Sequence, residues 1–416
     1  MTATDRFADP HSMDKLAEIA VKVGLNLQEG QDLLITADIA MAGMVRKVTE
    51  QAYRHGAGLV TTYYEDEITT LARYTYGSEV SFSRDRPWLH SGFAEAMKDG
   101  KTARLRIIGE NPFLLQGQEG WKLKSAQQAF GEARKSWLDI ITSFETNWSI
   151  IPYATEGWAK AVFPDDPDAV AKLWDAIFKA CRVDASVSDP LEAWKTHNAH
   201  LHERLTFLDG KRYSALHFKS KETDLTVGLA DGHAWGGGGG KTLQGVFSNP
   251  NIPTEEVFTT PHAFKVDGYA RSTKPLSYNG SMIEDIRVVF KEGRIVEAAC
   301  SKGEDIFKSI LDTDEGARRL GEVALVPHSS PISSSGILFF ETLFDENAAS
   351  HIALGQSYRK CLHDSEGLDS EALLARGANA SLVHVDWMIG DGDTDVDGIN
   401  PDGTSEPVMR NGEWAV

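Results

Sequence analysis

The first half of the chain alternates short apolar runs with amphipathic segments, and few folds satisfy that alternation. Leu33-Leu34-Ile35, Leu59 to Tyr64, Leu105-Arg106-Ile107-Ile108 and Ser149-Ile150-Ile151 have the length and β-forming character of buried strands. Between them, Leu16, Ile19, Ala20 and Val23 fall at i, i+3, i+4 and i+7 behind Ser12, which is expected to cap that helix. Met44, Val45, Val48 and Ala52 form a second stripe, and residues 126–137 and 168–180 read as further helices. Strand and helix in alternation require βαβ units and a mostly parallel sheet. The Leu33 run leads into Thr36-Ala37-Asp38-Ile39-Ala40 with no GxGxxG, so no dinucleotide pyrophosphate is expected there. The expectation is a structural or dimer-forming α/β domain over residues 1–190.

At Ser188-Asp189-Pro190 the pattern changes. Asp189 can cap a helix with Pro190 in its first position, running to about Leu208. Beyond it, residues 213–218, 224–229, 286–290 and 294–299 are short β runs, the last two joined by a Lys291-Glu292-Gly293 turn. Residues 304–311 and 315–320 read as helical. Residues 191–416 are therefore expected to form a mixed α+β domain.

Charge and cysteine usage narrow the partners. A formal charge of −19 repels nucleic acid and anionic membranes. Cys181, Cys300 and Cys361 are odd in number and far apart, which suits a reducing, cytoplasmic setting rather than a disulfide framework. No secretory signal is visible, and no run approaches the roughly 20 apolar residues that span a bilayer.

Several motifs come close to known chemistry and miss it. In Trp235 to Thr242, Trp235 stands where a phosphate-binding loop needs glycine, so a flexible turn near an active site or between strands is expected. Asp393 to Gly398 copies half of an EF-hand loop, but Thr404 occupies the position of the bidentate glutamate. His197, His200 and His202 share a helix, and Thr206 replaces the second histidine of an HExxH; a partly exposed helix face is expected. No GxSxG elbow for a serine hydrolase is present.

What remains is a set of carboxylates and imidazoles in apolar or turn-like contexts. Glu256 follows a proline-bearing turn and precedes Val257-Phe258, and Glu322 introduces Val323-Ala324-Leu325-Val326. His351 lies among small residues. His384 and Asp386, at i and i+2 of a strand-like run, project to one face. Oxygen and nitrogen donors of this kind suit divalent zinc, cobalt, manganese or magnesium. Taken singly, each has a simpler reading: a surface or capping carboxylate, a core histidine, or a His–Asp hydrogen bond.

The strings Asn-Ile-Pro-Thr-Glu-Glu-Val-Phe-Thr-Thr-Pro (251–261), Leu-Gly-Glu-Val-Ala-Leu-Val (320–326), Thr-Leu-Phe-Asp-Glu-Asn-Ala-Ala-Ser-His-Ile-Ala-Leu-Gly (342–355) and His-Val-Asp-Trp-Met-Ile-Gly (384–390) resemble the M29 family of metallo-aminopeptidases, the aminopeptidase T and aminopeptidase S group. The segment 402–414 is similar as well. The resemblance implies two divalent ions, zinc foremost, held by Glu256, Glu322, His351, His384 and Asp386. It places Tyr358 at the catalytic centre, and it implies a homodimer enclosing a cavity and release of N-terminal residues from short peptides with a free amine. Glu255 and Glu346 are candidates for the carboxylate that shuttles a proton between water and leaving amine, and Tyr358 for the donor to the oxyanion. Hydrolysis of another small amide or ester by the same centre is the alternative. Glu341 departs from the expected pattern, which bears on cavity shape and specificity.

Overall fold

The structure is a computed structural model and describes residues 4–278 and 280–416. It divides into two compact units, one comprising Met1–Thr196 with Gly239–Pro253, the other His197–Gly238 with Thr254–Val416.

In the first unit, β1 (Asp32–Asp38), β2 (Val60–Glu65), β3 (Thr102–Ile108) and β4 (Trp148–Pro152) form a wholly parallel sheet in the order β2-β1-β3-β4. The strand order therefore reverses between β1 and β3. Leu33, Ile35, Leu105 and Ile107 are fully buried on one face, as their alternation requires. The first long helix, Pro10–Ile19, is capped by Asp9 rather than Ser12: Asp9 Oδ2 accepts from Ser12 N at 2.8 Å, and Pro10 sits at the first helical position. Proline has no N–H to lose there, so the helix begins earlier than the hydroxyl suggested. Ser12 instead donates its own hydroxyl to the cap at 2.7 Å. The helix expected at 126–137 extends over Gly120–Thr142.

The second unit is built on antiparallel sheets. An eight-stranded sheet runs from Arg294–Ala299 through Pro261–Arg271 to Glu413–Trp414. Its hairpin at 287–299 turns where expected, with Glu292 and Gly293 both at positive φ. A five-stranded sheet carries β5 (Val257–Thr259), β6 (Leu320–Leu325), β7 (His351–Gly355) and β8 (His384–Met388), with neighbours paired in the order β8-β7-β6-β5. The expected helix at 315–320 is only a short 3-10 turn at Gly316–Arg318, and Leu320 already belongs to β6. Every residue of β6, Glu322 included, is buried, as in a strand covered on both faces. Val323, Leu325, Ile352, Leu354, Val385 and Trp387 enter one core with Leu216, Val227 and Val266 of the larger sheet.

Candidate metal centre

Register brings the candidate residues onto one face of the smaller sheet. Glu322 on β6 lies opposite Ala353 on β7, which lies opposite Asp386 on β8. Ala324 pairs with His351, and Gly355 with His384. Directly paired residues share a face, as do residues two apart on a strand. Glu322, His351, His384 and Asp386 therefore project together, and Ala353 and Gly355 between them leave room for the larger side chains. Glu256 joins from just before β5, whose Phe258 pairs with Ala324.

Two glycines make the register possible. The ladder between β6 and β7 shifts between Leu320 and Glu322, leaving Gly321 as the extra residue of a bulge. A β-carbon there would lie 2.3 Å from the Gln356 carbonyl oxygen and 2.4 Å from that of Gly355. Gly355 itself has φ +98°, and its β-carbon would fall 2.1 Å from the Val383 carbonyl. Only glycine is accommodated in either place.

The donor atoms converge in two overlapping groups. Glu256, Glu322 and His351 form one, Glu322, His384 and Asp386 the other, and within each group the ligand atoms lie within 4.8 Å of one another. His351 Nε2 is 3.2 Å from Glu256 Oε2 and 3.6 Å from Glu322 Oε1. His384 Nε2 is 3.8 Å from Glu322 Oε2 and 3.4 Å from Asp386 Oδ1. Glu322 thus faces both groups, one oxygen to each. Both imidazoles are oriented from behind: His351 Nδ1 donates to the Ala349 carbonyl at 3.0 Å, and His384 Nδ1 to the Gln356 carbonyl at 2.7 Å. A ring whose Nδ1 holds the proton in this way presents Nε2 as a lone pair to a cation.

The electrostatics are those of a cation receptor. Burial opposes charge on His384, but Asp386 and Glu322 outweigh it and push the ring up to about 10. Burial likewise opposes charge on His351, and Glu256 and Glu322 raise it well above the ordinary range. Burial raises Glu322 above the usual carboxylate range, with Glu256 and Asp386 adding to the shift. Glu256 Oε2, His351 Nε2 and Asp386 Oδ1 are buried yet make no hydrogen bond of proper geometry. Buried polar atoms normally find partners, and these three belong to the two ligand groups, where divalent ions would satisfy them. The donor set therefore fits hard or borderline divalent metals.

The remaining candidates stand around this cluster. The Tyr358 ring lies 4.9 Å from the His384 ring, centroid to centroid, tilted by 51°. Although Tyr358 is 38% exposed, crowding of its phenol together with the charges of Glu322 and Asp386 shifts it upwards, which favours the hydrogen-bond donor form. Glu346 is raised well above the carboxylate range by burial, then by the charges of Glu256 and Asp386. Glu255 is buried and turned towards His197, whose Nε2 lies 3.9 Å from Glu255 Oε2 and 2.7 Å from the Thr254 carbonyl. Glu255 N donates to Asn347 Oδ1 at 2.6 Å. His197 and Asn347 thus clamp the segment leading into Glu256. The sequence marked His197 only as part of a histidine-bearing helix, because the loop it grips lies 57 residues away.

The model of the thermophilic metalloprotease (M29) family matches residues 10–414. Aminopeptidase T of Thermus thermophilus is 50% identical over 408 residues, covering 97% of this chain and 98% of that protein. Aminopeptidase 2 of Geobacillus stearothermophilus is 43% identical, covering 97% of each chain. The solved structure of wild-type AmpT from Thermus thermophilus matches with a TM-score of 0.92 at 48% identity, over 97% of this chain and 99% of that one.

Proposed function

We propose, since this chain belongs to the M29 metalloprotease family, that it is an aminopeptidase releasing N-terminal residues from short peptides at a dinuclear centre. The observation that carries the reading is the pair of ligand groups joined through Glu322. Glu256, Glu322 and His351 would hold one ion, and Glu322, His384 and Asp386 the other. Zinc is the first candidate, with cobalt, manganese and magnesium as alternatives. Bound ions of this kind polarise a peptide carbonyl and lower the pKa of water from near 16 towards about 7.

The chain's own groups supply the rest. Tyr358, held protonated, donates to the oxygen that gains charge as the carbonyl becomes tetrahedral. Glu346 accepts the proton of the attacking water and returns it to the departing amine. The charges of Glu256 and Asp386 acting on it favour it over Glu255, which His197 engages. The same reading includes the homodimer implied by family resemblance and a cytoplasmic setting; no described helix is long and apolar enough to cross a membrane.

Unblocked and N-acetylated peptides offered to the chelated protein, then with each metal restored, test the activity. Cleavage confined to free-amine peptides and to metal-restored samples is expected. Equal cleavage of acetylated peptides would assign the centre to another amide or ester. Glu346→Gln is expected to lose on the order of 10²–10⁴-fold in kcat, the usual scale of general acid–base catalysis, while retaining its metal. Full turnover in that variant would return the proton-carrying role to Glu255.

A further inference from the structure

The first unit holds two guanidinium groups whose buried Nε atoms meet no acceptor. In a chain of net charge −19, Arg104 is 8% exposed, yet its Nε meets no hydrogen-bond acceptor. Arg134 Nε is likewise buried and unpartnered, and neither side chain forms an ion pair among the described residues. Burial and the charges of Arg106 and Arg134 outweigh the opposing pull of Glu65 and push Arg104 down to about 9. Burial and Arg106 lower Arg134 as well. A desolvated guanidinium without an anion is costly, and neighbouring like charges add to the cost.

The cluster is built rather than incidental. Arg104 lies over the Trp137 ring with its Cζ 4.2 Å from the centroid. Trp137 Nε1 donates to His90 Nδ1 at 2.9 Å, and His90 Nε2 is 3.3 Å from Asp85 Oδ1. This relay fixes the ring on which the guanidinium rests. Arg134 lies over Phe130 at 5.0 Å. Aromatic faces satisfy a guanidinium from one side only and leave its hydrogen-bonding edge available.

The position in the sheet is equally specific. Arg104 and Arg106 share a face of β3, opposite Leu34 and Thr36 of β1. Thr36 Oγ1 is a third buried polar atom without a partner. Arg104 is the third residue of β3 and lies within the sheet, away from the carboxylates Asp38, Glu67 and Glu110 near the carboxyl ends of the strands. The nearby carboxylates are otherwise engaged. Glu110 accepts from Arg106 at 3.0 Å and from Gly109 N at 2.9 Å, and exposed Glu65 lies 3.9 Å from Arg86.

We propose that Arg104, Arg134 and Thr36 form a binding site for a compact oxyanion, a carboxylate or a phosphate, seated beside Trp137 on the face that β1 and β3 share. The planar guanidinium fork matches the geometry of either group.

The test uses full-length, metal-loaded protein, with thermal melts and titration calorimetry in inorganic phosphate, acetate or succinate, against chloride at matched ionic strength. A saturable stabilisation beyond that of chloride is expected. Response to phosphate alone identifies a phosphate site, and response to acetate or succinate alone a carboxylate site. Half-exposed Arg134→Gln should weaken binding by about tenfold or more, the loss of one charge-assisted hydrogen bond, and Arg104→Gln should abolish it. No response beyond chloride overturns the proposal. So does anion binding that persists in both variants, which would locate it at the metal centre. A change of oligomeric state in Arg134→Gln without any anion response also overturns it, by assigning the counter-ion to a second copy of the chain.

Discussion

Replacing Glu322 with Gln is expected to remove activity by on the order of 10³-fold or more in kcat/KM, equivalent to about 4 kcal/mol of transition-state stabilisation, and to lower metal content in the same preparation. Glu322 contributes to both ligand groups, with Oε1 towards His351 and Oε2 towards His384, so its loss weakens both at once. The metal-free variant separates this cause from misfolding. Without ions, Glu322 is a buried carboxyl raised by burial and crowded by Glu256 and Asp386, so removing its charge should leave the melting temperature of the apoprotein unchanged or higher. Stabilisation by added metal should shrink in the variant. Metal analysis alongside kinetics decides the matter: a metal-replete, fully active Glu322→Gln protein would sink the ligand assignment.

Gly321→Ala is expected to be nearly as damaging, although the new methyl touches no ligand. Its β-carbon would meet the carbonyl oxygens of Gln356 and Gly355 within 2.4 Å, closer than real contacts allow. Relieving the clash moves the bulge that sets Glu322 on its rung. It also moves the Gln356 carbonyl, which holds His384 through Nδ1. Overpacking of this kind costs roughly 1–3 kcal/mol, or about 2–4 °C of melting temperature per kcal/mol in a domain of this size. A shift near 1 Å at the reacting groups costs about 10²-fold in rate. Differential scanning calorimetry and kcat on one preparation test both; a variant with native melting temperature and native kcat would show that the bulge can be filled freely.

How far these features could be read from the chain depends on how local their causes are. The alternation in the first half announced the parallel sheet because each strand and helix carries its own period. The five candidate donor residues lay in long motifs whose order matches a known family, and the structure brings four onto one face of one sheet with Glu256 beside them. What stayed hidden depends on partners distant in sequence. His197 matters because it grips a carbonyl on another segment, and Arg104 resembled an ordinary strand residue until Trp137 packed against it. Asp9 displaced Ser12 as a cap because of Pro10, a local signal that was present and outweighed by the hydroxyl. Leu320 was drawn into a strand because β6 is covered on both faces, a fact about its neighbours.

The division of the chain into units has a practical side. The path leaves the first unit after Thr196, returns at Gly239 and leaves again after Pro253, three residues before Glu256. A chimera that exchanges the first unit with that of a relative therefore needs three junctions, not one. A single crossover near residue 196 would join a foreign first unit to a native 239–253 segment, and mismatch there would be felt next to the first donor carboxylate. Recombination libraries within this family should carry residues 239–253 together with the N-terminal block.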